Sequence, residues 1–172
     1  MLHDPVYREK YAQNLKREFP RIPLYGATPA DFQRWAQWGA QLMALHIGYE
    51  TVEPWPLQRS DIIDDKARST GQSPKPLLKA DKTGGRIVLD SETTLSGIPP
   101  QAWDYKLGNR SALEWILDQY KESKPRDPTI REKFDTYRFA DYKDKVIDLL
   151  MRVTRVSVET QGIVEAMKLA AR

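Results

Sequence analysis

The chain has 172 residues, of which 40% are hydrophobic, 10% aromatic and 30% charged. This composition is typical of a globular protein that buries its own core, and it argues against a wholly disordered chain. Cysteine is absent, which excludes disulfide bonds and thiolate metal sites. Lys and Arg number 27 against 24 Asp and Glu, so a net charge of +3 does not support binding of nucleic acid by bulk charge.

No apolar run reaches the roughly 18 residues that a membrane-spanning helix requires, and the sequence starts without the apolar core of a signal peptide. We therefore expect a cytoplasmic chain with no membrane partner. The length predicts one domain over residues 1–172. Composition divides it into a helical part (1–48), a part with a small sheet and loops (49–105) and a second helical part (106–172).

Two helices are predicted at the start of the chain. The dipeptide Asp4–Pro5 is a helix start signal, and an apolar stripe follows at four-residue spacing until Pro20: Tyr7, Tyr11, Leu15 and Phe19. Thr28 caps the second helix, and Asp31 stands where the acid of a capping box is expected. Gly48 is the predicted end of this helix.

The middle of the chain is rich in proline, which argues against long helices there. Four short runs resemble β-strands: Tyr49–Val52, Leu77–Lys79, Arg86–Leu89 and Thr93–Leu95. The sequence DKTGG at 81–85 predicts a hairpin between the second and third of these runs. The polar stretch Gln58–Ser73 is predicted to be a loop.

From Gly108 onwards, apolar residues again recur with helical spacing. One stripe covers residues 113–120, and a second runs from Phe139 to Met167. The segment VTRVSV at 153–158 alternates as a strand does, but the longer helical period through it favours a helix. The chain is therefore predicted to be α+β, with helices at both ends packed with a small, mainly antiparallel sheet from the middle.

Motifs for catalysis are absent from this sequence. It contains no P-loop and no Gly-x-Ser-x-Gly motif, and the positions of His3 and His46 favour solvated, core or capping roles. Asp90 and Glu92 alternate as in some nuclease sites, but no lysine follows them. Three further carboxylates fit a solvated loop better than a magnesium site: Asp61, Asp64 and Asp65. We predict no catalytic residue, no metal ligand and no cofactor site in this chain.

A charged connection at 121–138 holds six basic residues and is a candidate for phosphate binding, because cations on a rigid loop and a helix start can grip phosphates. These are Lys121, Lys124, Arg126, Arg131, Lys133 and Arg138. Composition alone favours a solvated charged face over this role. Trp55, between two prolines, is either a stacking platform or a packed side chain, and packing is favoured.

Two stretches carry a resemblance to a known family. They are DYKLGNRSALEWILDQYKESKPRDPTIREKFDTYRFADYKDKVIDLLMRVTRVSVET at 104–160 and YREKYAQNLKREFPRIPLY at 7–25, with a weaker contribution from the hairpin region at 76–99. Together they resemble the C-terminal specificity domain, or target-recognition domain, of type ISP single-polypeptide restriction–modification enzymes. These enzymes join a nuclease, a helicase-like motor, an adenine methyltransferase and a terminal target-recognition domain.

The resemblance implies that this chain recognises a sequence in double-stranded DNA and is not itself an enzyme. It also implies that the methyltransferase, helicase and endonuclease domains lie upstream in the same polypeptide, where S-adenosylmethionine, ATP and magnesium would bind. Recognition by this chain would direct adenine methylation and DNA cleavage by those domains. The alternative is a non-catalytic helical docking domain that holds methyltransferase and motor together without reading bases.

The resemblance also separates scaffold from contact residues. The motif at 107–120 is expected to be scaffold, with Gly108 in a turn and Asn109 or Ser111 as helix cap. The charged connection is then the better source of phosphate contacts. Base readers are expected in the polar stretch that follows Pro56, although a mobile surface loop explains that stretch equally well. The predicted readers are Gln58, Arg59, Lys66, Arg68, Gln72, Lys75 and Lys79.

Overall fold

The computed structural model describes residues 1–24, 28–122, 127–134 and 137–170. Helices lie at both ends and an antiparallel sheet lies in the middle, which confirms the predicted α+β class. The helices are α1 (Pro5–Lys10), α2 (Pro29–Ile47), α3 (Asp65–Ser69), α4 (Ala112–Gln119), α5 (Pro128–Phe134) and α6 (Lys143–Leu169). The strands are β1 (Gln58–Asp61), β2 (Pro76–Asp81), β3 (Arg86–Asp90), β4 (Thr93–Ser96), β5 (Lys106–Leu107) and β6 (Arg110–Ser111). None of the helices in these ranges is long and apolar enough to cross a membrane.

Helix α1 begins where the sequence predicts, because the Asp4 carboxylate accepts a hydrogen bond from the backbone of Val6 at 3.1 Å. It ends at Lys10, however, so the prediction of a helix up to Phe19 is wrong. The Tyr7 hydroxyl donates to the carbonyl of Arg21 at 2.7 Å. A continuous helix would hold these two residues about 21 Å apart, so the chain folds back instead and Phe19 remains 95% exposed.

The predicted capping box of α2 is confirmed. Thr28 accepts a hydrogen bond from the backbone of Asp31, and the Asp31 carboxylate accepts one from the backbone of Thr28. The helix packs against the C-terminal half of α6, where Trp35, Leu42 and Met167 form a small core of their own.

Strands β1 to β4 form one antiparallel sheet in the order β1-β4-β3-β2. The predicted hairpin at 81–85 is confirmed, since Asp81 pairs with Arg86. Its turn requires glycine at position 85, because φ is +58° there and a Cβ atom would lie 2.9 Å from the carbonyl oxygen of Ile98.

Two predictions for the middle of the chain are corrected. Residues 49–52 do not form a strand; the backbone of Thr51 donates to the carbonyl of Gly48 in a turn that closes α2. The segment Gln58–Ser73 is not all loop, since it contains β1 and α3. All four residues of β1 are exposed. The strand therefore lacks the apolar alternation that marks a half-buried strand, and its backbone pairing with β4 is what defines it.

The main core lies between the inner face of this sheet, α4 and the N-terminal half of α6. Ser111 rather than Asn109 caps α4, in a capping box with Glu114. The helix prediction for 153–158 is confirmed, because α6 runs unbroken through it. Thr154 and Ser157 each donate their hydroxyl to the carbonyl four residues earlier, at 2.7 Å, which satisfies both polar groups inside the core.

Candidate nucleic-acid interface

The register of the sheet separates its residues into two faces. Ala80, Ile87, Leu95 and Arg59 are aligned across the four strands on the inner face, where Ile87 and Leu95 are fully buried. The alternate positions form the outer face, and they are at least partly exposed except for Asp90 at the end of β3, which is buried. One row of the outer face holds Gln58, Ser96, Arg86 and Asp81, and the next holds Ser60, Thr94, Val88 and Lys79.

The outer face is polar and carries short side chains at its centre. Arg86 donates to Asp81 at 2.8 Å, and the Asp81 carboxylate also accepts from the backbone of Gly84 at 2.9 Å. The hydrogen bond from Gly84, followed by that from Arg86, lowers the pKa of Asp81. This face therefore presents an amide, three hydroxyls and two basic groups, which are side-chain types that hydrogen-bond to base edges or phosphates.

The structure distributes the seven predicted base readers over several places. Gln58 and Lys79 lie on the outer face. Lys66, Gln72 and Lys75 are exposed in and after α3. This segment is tied to the β3–β4 turn, where the backbones of Lys75 and Ser91 are hydrogen-bonded. The predicted readers thus form no single cluster.

Two of the predicted base-reading residues already form ion pairs within the chain. Arg59 lies on the inner face and bonds to Asp61 at 2.8 Å and to Asp144 of α6 at 2.9 Å. Arg68 donates through two nitrogens to Glu92, at 3.2 and 2.7 Å, and the Glu92 side chain is only 4% exposed. Both guanidinium groups hold the segment after β1 in place, and their reading of bases stays a prediction.

Four of the five carboxylates that raised the question of a metal or nuclease site have structural partners: Asp61, Asp64, Asp90 and Glu92. Asp90 is 3% exposed, accepts hydrogen bonds from the backbones of Glu92 and Thr93, and pairs with Lys143 at 2.8 Å. Asp61 accepts a hydrogen bond from the Thr93 hydroxyl at 2.6 Å. Within the described ranges, no group of His, Asp and Glu side chains has the arrangement of a metal site.

The histidines and Trp55 also have packing partners. His46 lies 3.2 Å from the Thr160 hydroxyl and is stacked between His3 and Tyr105. Burial lowers the pKa of both histidines. The half-buried Trp55 packs against the main core, under the guanidinium of Arg155. This placement agrees with the packing role that the sequence favours.

Most of the predicted phosphate contacts fall beyond what the structure describes. Lys124 and Arg126 lie outside the described residues, and so do the side chains of Arg131 and Lys133 on α5. The other two predicted contacts are exposed. Lys121 pairs with Asp118 at 2.5 Å, and Arg138 donates to the carbonyl of Tyr137 at 2.9 Å.

A basic groove between α4 and β2 was missed by sequence reasoning. Lys79, Arg110 and Lys121 line it together with Glu114 and Asp118, and Lys82 pairs with Glu114 at 2.9 Å at its side. The four cations come from three separate segments, so no pattern in the sequence joins them. The contact between α4 and β2 is what brings them together.

Glu114 is one of the two carboxylates that line this basic groove. Partial burial raises the pKa of its carboxyl, but hydrogen bonds from Lys82 and Ser111 outweigh burial and lower the pKa to about 2. Glu114 is therefore ionised at neutral pH and holds the hairpin against the start of α4. Four cations facing two carboxylates leave the groove with a positive balance that suits an anion such as a phosphate.

The sequence and fold of this chain resemble those of known restriction-modification enzymes. The model of the Type ISP C-terminal specificity domain matches residues 1–149. The chain is 55% identical to a chain of the DrdV–DNA complex solved by cryo-EM, with a TM-score of 0.86 over 99% of this chain and 17% of that chain. It is 28% identical to a nuclease-deletion mutant of the Type ISP restriction-modification enzyme LlaGI in complex with a DNA substrate mimic. That match has a TM-score of 0.69 and covers 96% of this chain and 13% of that chain.

A third solved structure shows the same fold at 22% identity. It is the ATP-dependent Type ISP restriction-modification enzyme LlaBIII bound to DNA, with a TM-score of 0.70 over 99% of this chain and 10% of that chain. The chain thus spans 17% or less of these three structures. No curated protein matches it. The family match over residues 1–149 confirms the resemblance in the sequence, and the chain belongs to the family of Type ISP C-terminal specificity domains.

Proposed function

We propose that this chain recognises a sequence in duplex DNA for a restriction–modification enzyme, and thereby directs adenine methylation and DNA cleavage by other domains of the same polypeptide. The observation that carries the proposal is the match to the DrdV–DNA complex over 99% of the chain at 55% identity. The LlaGI structure, also a complex with a DNA mimic, supports the same role.

Two surfaces of this fold suit DNA. The outer face of the sheet offers hydrogen-bonding groups that distinguish bases, and the basic groove offers cations for the phosphate backbone. Because the net charge is only +3, attraction by the whole chain is modest. Affinity would therefore come from placed contacts and from the rest of the enzyme.

Under this proposal the chain contributes recognition and no chemical step. Methyl transfer, translocation and cleavage belong to the other domains, which would use S-adenosylmethionine, ATP and magnesium. The buried carboxylates Asp90 and Glu92 hold the β3–β4 turn and the segment after β1, which is a sufficient reason for their burial. Cytoplasmic location belongs to the same proposal, because the DNA that such enzymes act on lies there.

A second candidate function is docking to the methyltransferase and motor domains of the same enzyme. An exposed stripe of small and apolar residues on α2 supports it. Six small or apolar residues lie within an arc of about 100° on this helix and all are exposed. They are Phe32, Ala36, Gly39, Ala40, Met43 and Ile47. We call this surface the α2 stripe. Phe32, Met43 and Ile47 are 58%, 60% and 76% exposed, which is unusual for large apolar side chains and suits contact with another part of the enzyme.

An exchange experiment separates the two functions. Residues 58–100 would be exchanged between the full polypeptide that carries this chain and a related enzyme with a different DNA site, and the methylated adenines located by sequencing. A methylation site that follows the exchanged segment supports recognition. An unchanged site combined with loss of assembly contradicts recognition and supports docking.

A further inference from the structure

We infer that the outer face of the sheet is the base-reading surface, and that the ribbon formed by β1 and β4 enters the major groove of the duplex. This inference rests on the proposed function and deepens it. It assigns readout to strands β1 and β4 and to residues such as Ser60, Thr94 and Ser96, which the sequence did not single out.

The width of the major groove decides which strands of the sheet can enter it. The major groove is about 12 Å wide and admits a two-stranded ribbon. Four strands spaced about 4.8 Å apart place the outer strand axes about 14 Å from each other, which exceeds that width. Strand β1 lies at the edge of the sheet and all its residues are exposed. The ribbon of β1 and β4 is therefore the pair of strands that can enter the groove.

The ribbon has the chemistry of a reading surface. Its outward pairs are Gln58 with Ser96 and Ser60 with Thr94. No described residue binds the side chains of Gln58, Ser60 or Thr94, so their donors and acceptors are available to a ligand. A glutamine amide can pair with adenine through two hydrogen bonds, and hydroxyls donate or accept as the base requires. The short serine and threonine side chains also let the backbone approach the bases closely.

Charge complementarity identifies the occupant as duplex DNA. The basic groove runs along β2, at the opposite edge of the sheet from β1. With β1 and β4 inserted, β2 lies roughly two to three strand spacings away, about 10 to 14 Å, and therefore outside the groove, on the side of its phosphates. Lys79, on the outer face of β2, then faces phosphate oxygens, while Arg86 extends the row of Gln58 and Ser96 towards them.

The same geometry gives Arg59 and Arg68 a positioning role. Arg59 extends from the inner face of β1 and ties that strand to Asp144 of α6. Arg68 fixes the segment after β1 to the buried Glu92. Both residues therefore hold β1 in position, Arg59 through α6 and Arg68 through the β3–β4 turn.

The test uses the full polypeptide that carries this chain, with Gln58→Ala, Ser60→Ala and Thr94→Val made one at a time. Thr94→Val keeps the shape of the side chain, so it leaves packing in place while removing the hydroxyl. Gln37→Ala, which removes the same amide from an exposed position on α2, is the matched control. Preferred sites would be selected from randomised duplexes, and the affinities for the selected and a scrambled duplex compared at one salt concentration.

We expect the Gln58 and Thr94 variants to lower the ratio of selected to scrambled affinity about 5- to 150-fold and to relax the preference at individual base positions. The control should leave the ratio unchanged. Folded variants that bind the wild-type site with an unchanged ratio would overturn the inference while leaving the proposed function intact. A wild-type protein that does not discriminate between duplexes overturns both.

Discussion

The ammonium group of Lys143, at the start of α6, lies 2.8 Å from the carboxylate of Asp90 in the β3–β4 turn. The other oxygen of that carboxylate accepts two backbone hydrogen bonds within the turn. The pair thereby fastens the long C-terminal helix to the end of the sheet. Because Asp90 is 3% exposed, its charge is compensated by protein groups and little by water.

Removal of this carboxylate should be strongly destabilising. We expect Asp90→Ala to lower the free energy of unfolding by about 3 kcal/mol, because it leaves Lys143 and two backbone amides without their acceptor. Urea unfolding would measure the change. Asp144→Asn is the control, because the Asp144 side chain is 86% exposed and its pair with Arg59 is worth about 1 kcal/mol at most. Equal effects of the two substitutions would contradict the role of Asp90.

Two glycines should respond to alanine in opposite directions. Gly85→Ala should destabilise the protein by about 1 to 3 kcal/mol, because φ is +58° and the new Cβ would press on the carbonyl of Ile98. Gly162→Ala lies in α6 with open space around the new Cβ, so it should stabilise the protein by up to about 1 kcal/mol. Thermal unfolding of both variants gives the comparison. A neutral Gly85→Ala variant would show that the turn tolerates a side chain.

The low pKa of Glu114 predicts that the free energy of unfolding decreases at acidic pH. The pKa is about 2 in the folded chain against an ordinary value of 4.5, so the unfolded state binds the proton more readily. The stabilisation is complete above about pH 5, decreases as the pH falls, and is lost near pH 2. In Glu114→Gln the decrease of the unfolding free energy over this range should be smaller. Lys82→Met should reduce it as well, since it removes one partner of the carboxylate.

Arg68 and Lys66, two residues apart on α3, should behave differently. Arg68→Ala removes the partner of a nearly buried carboxylate, so α3 should open more often and be cleaved faster by protease, on the order of tenfold. Lys66 is exposed and is bonded to Glu92 by no described contact, so Lys66→Ala should leave cleavage unchanged. If both variants are cleaved at the wild-type rate, Arg68 does not hold the segment.

The basic groove predicts effects on DNA that are independent of sequence. Lys79→Ala should weaken binding of the full polypeptide to cognate and scrambled duplexes alike, and reduce the salt dependence by about one phosphate contact. The charge reversals Arg126→Glu and Arg131→Glu test the predicted contacts of the charged connection by the same measurement. Lys16→Ala, at an exposed lysine near the N-terminus, serves as the control. A change in sequence preference without a change in salt slope would assign Lys79 to base reading instead.

Local signals explain what the sequence predicted well. The capping box at Thr28, the helix cap at Ser111 (one of the two residues predicted) and the glycine turn of the hairpin involve residues at most a few positions apart, and the structure reproduces them. Helix α6 was predicted because its apolar period continues through the alternating segment 153–158. The family was identified from two long stretches, and the family match bears this out.

The predictions that failed concern features that depend on contacts between residues far apart in the sequence. Helix α1 ends early where the chain folds back, and the reversal is held by a hydrogen bond between Tyr7 and Arg21, fourteen positions apart. Strand β1 is polar on both faces, so only its pairing with β4 reveals it. The outer face depends on the register of four strands, and the basic groove depends on the packing of α4 on β2. No spacing within the sequence expresses either relationship.

Helix α6 has 27 residues and is therefore about 40 Å long. Its first turns are fastened to the sheet by Asp90 and Lys143, and its last turns pack on α2 through Met167. The helix is thus one continuous element that joins the sheet to α2, and a tilt of about 5° at the sheet would displace its α2 end by about 3.5 Å. Under the proposed function, a movement of the sheet on DNA would therefore also displace α2 and the α2 stripe.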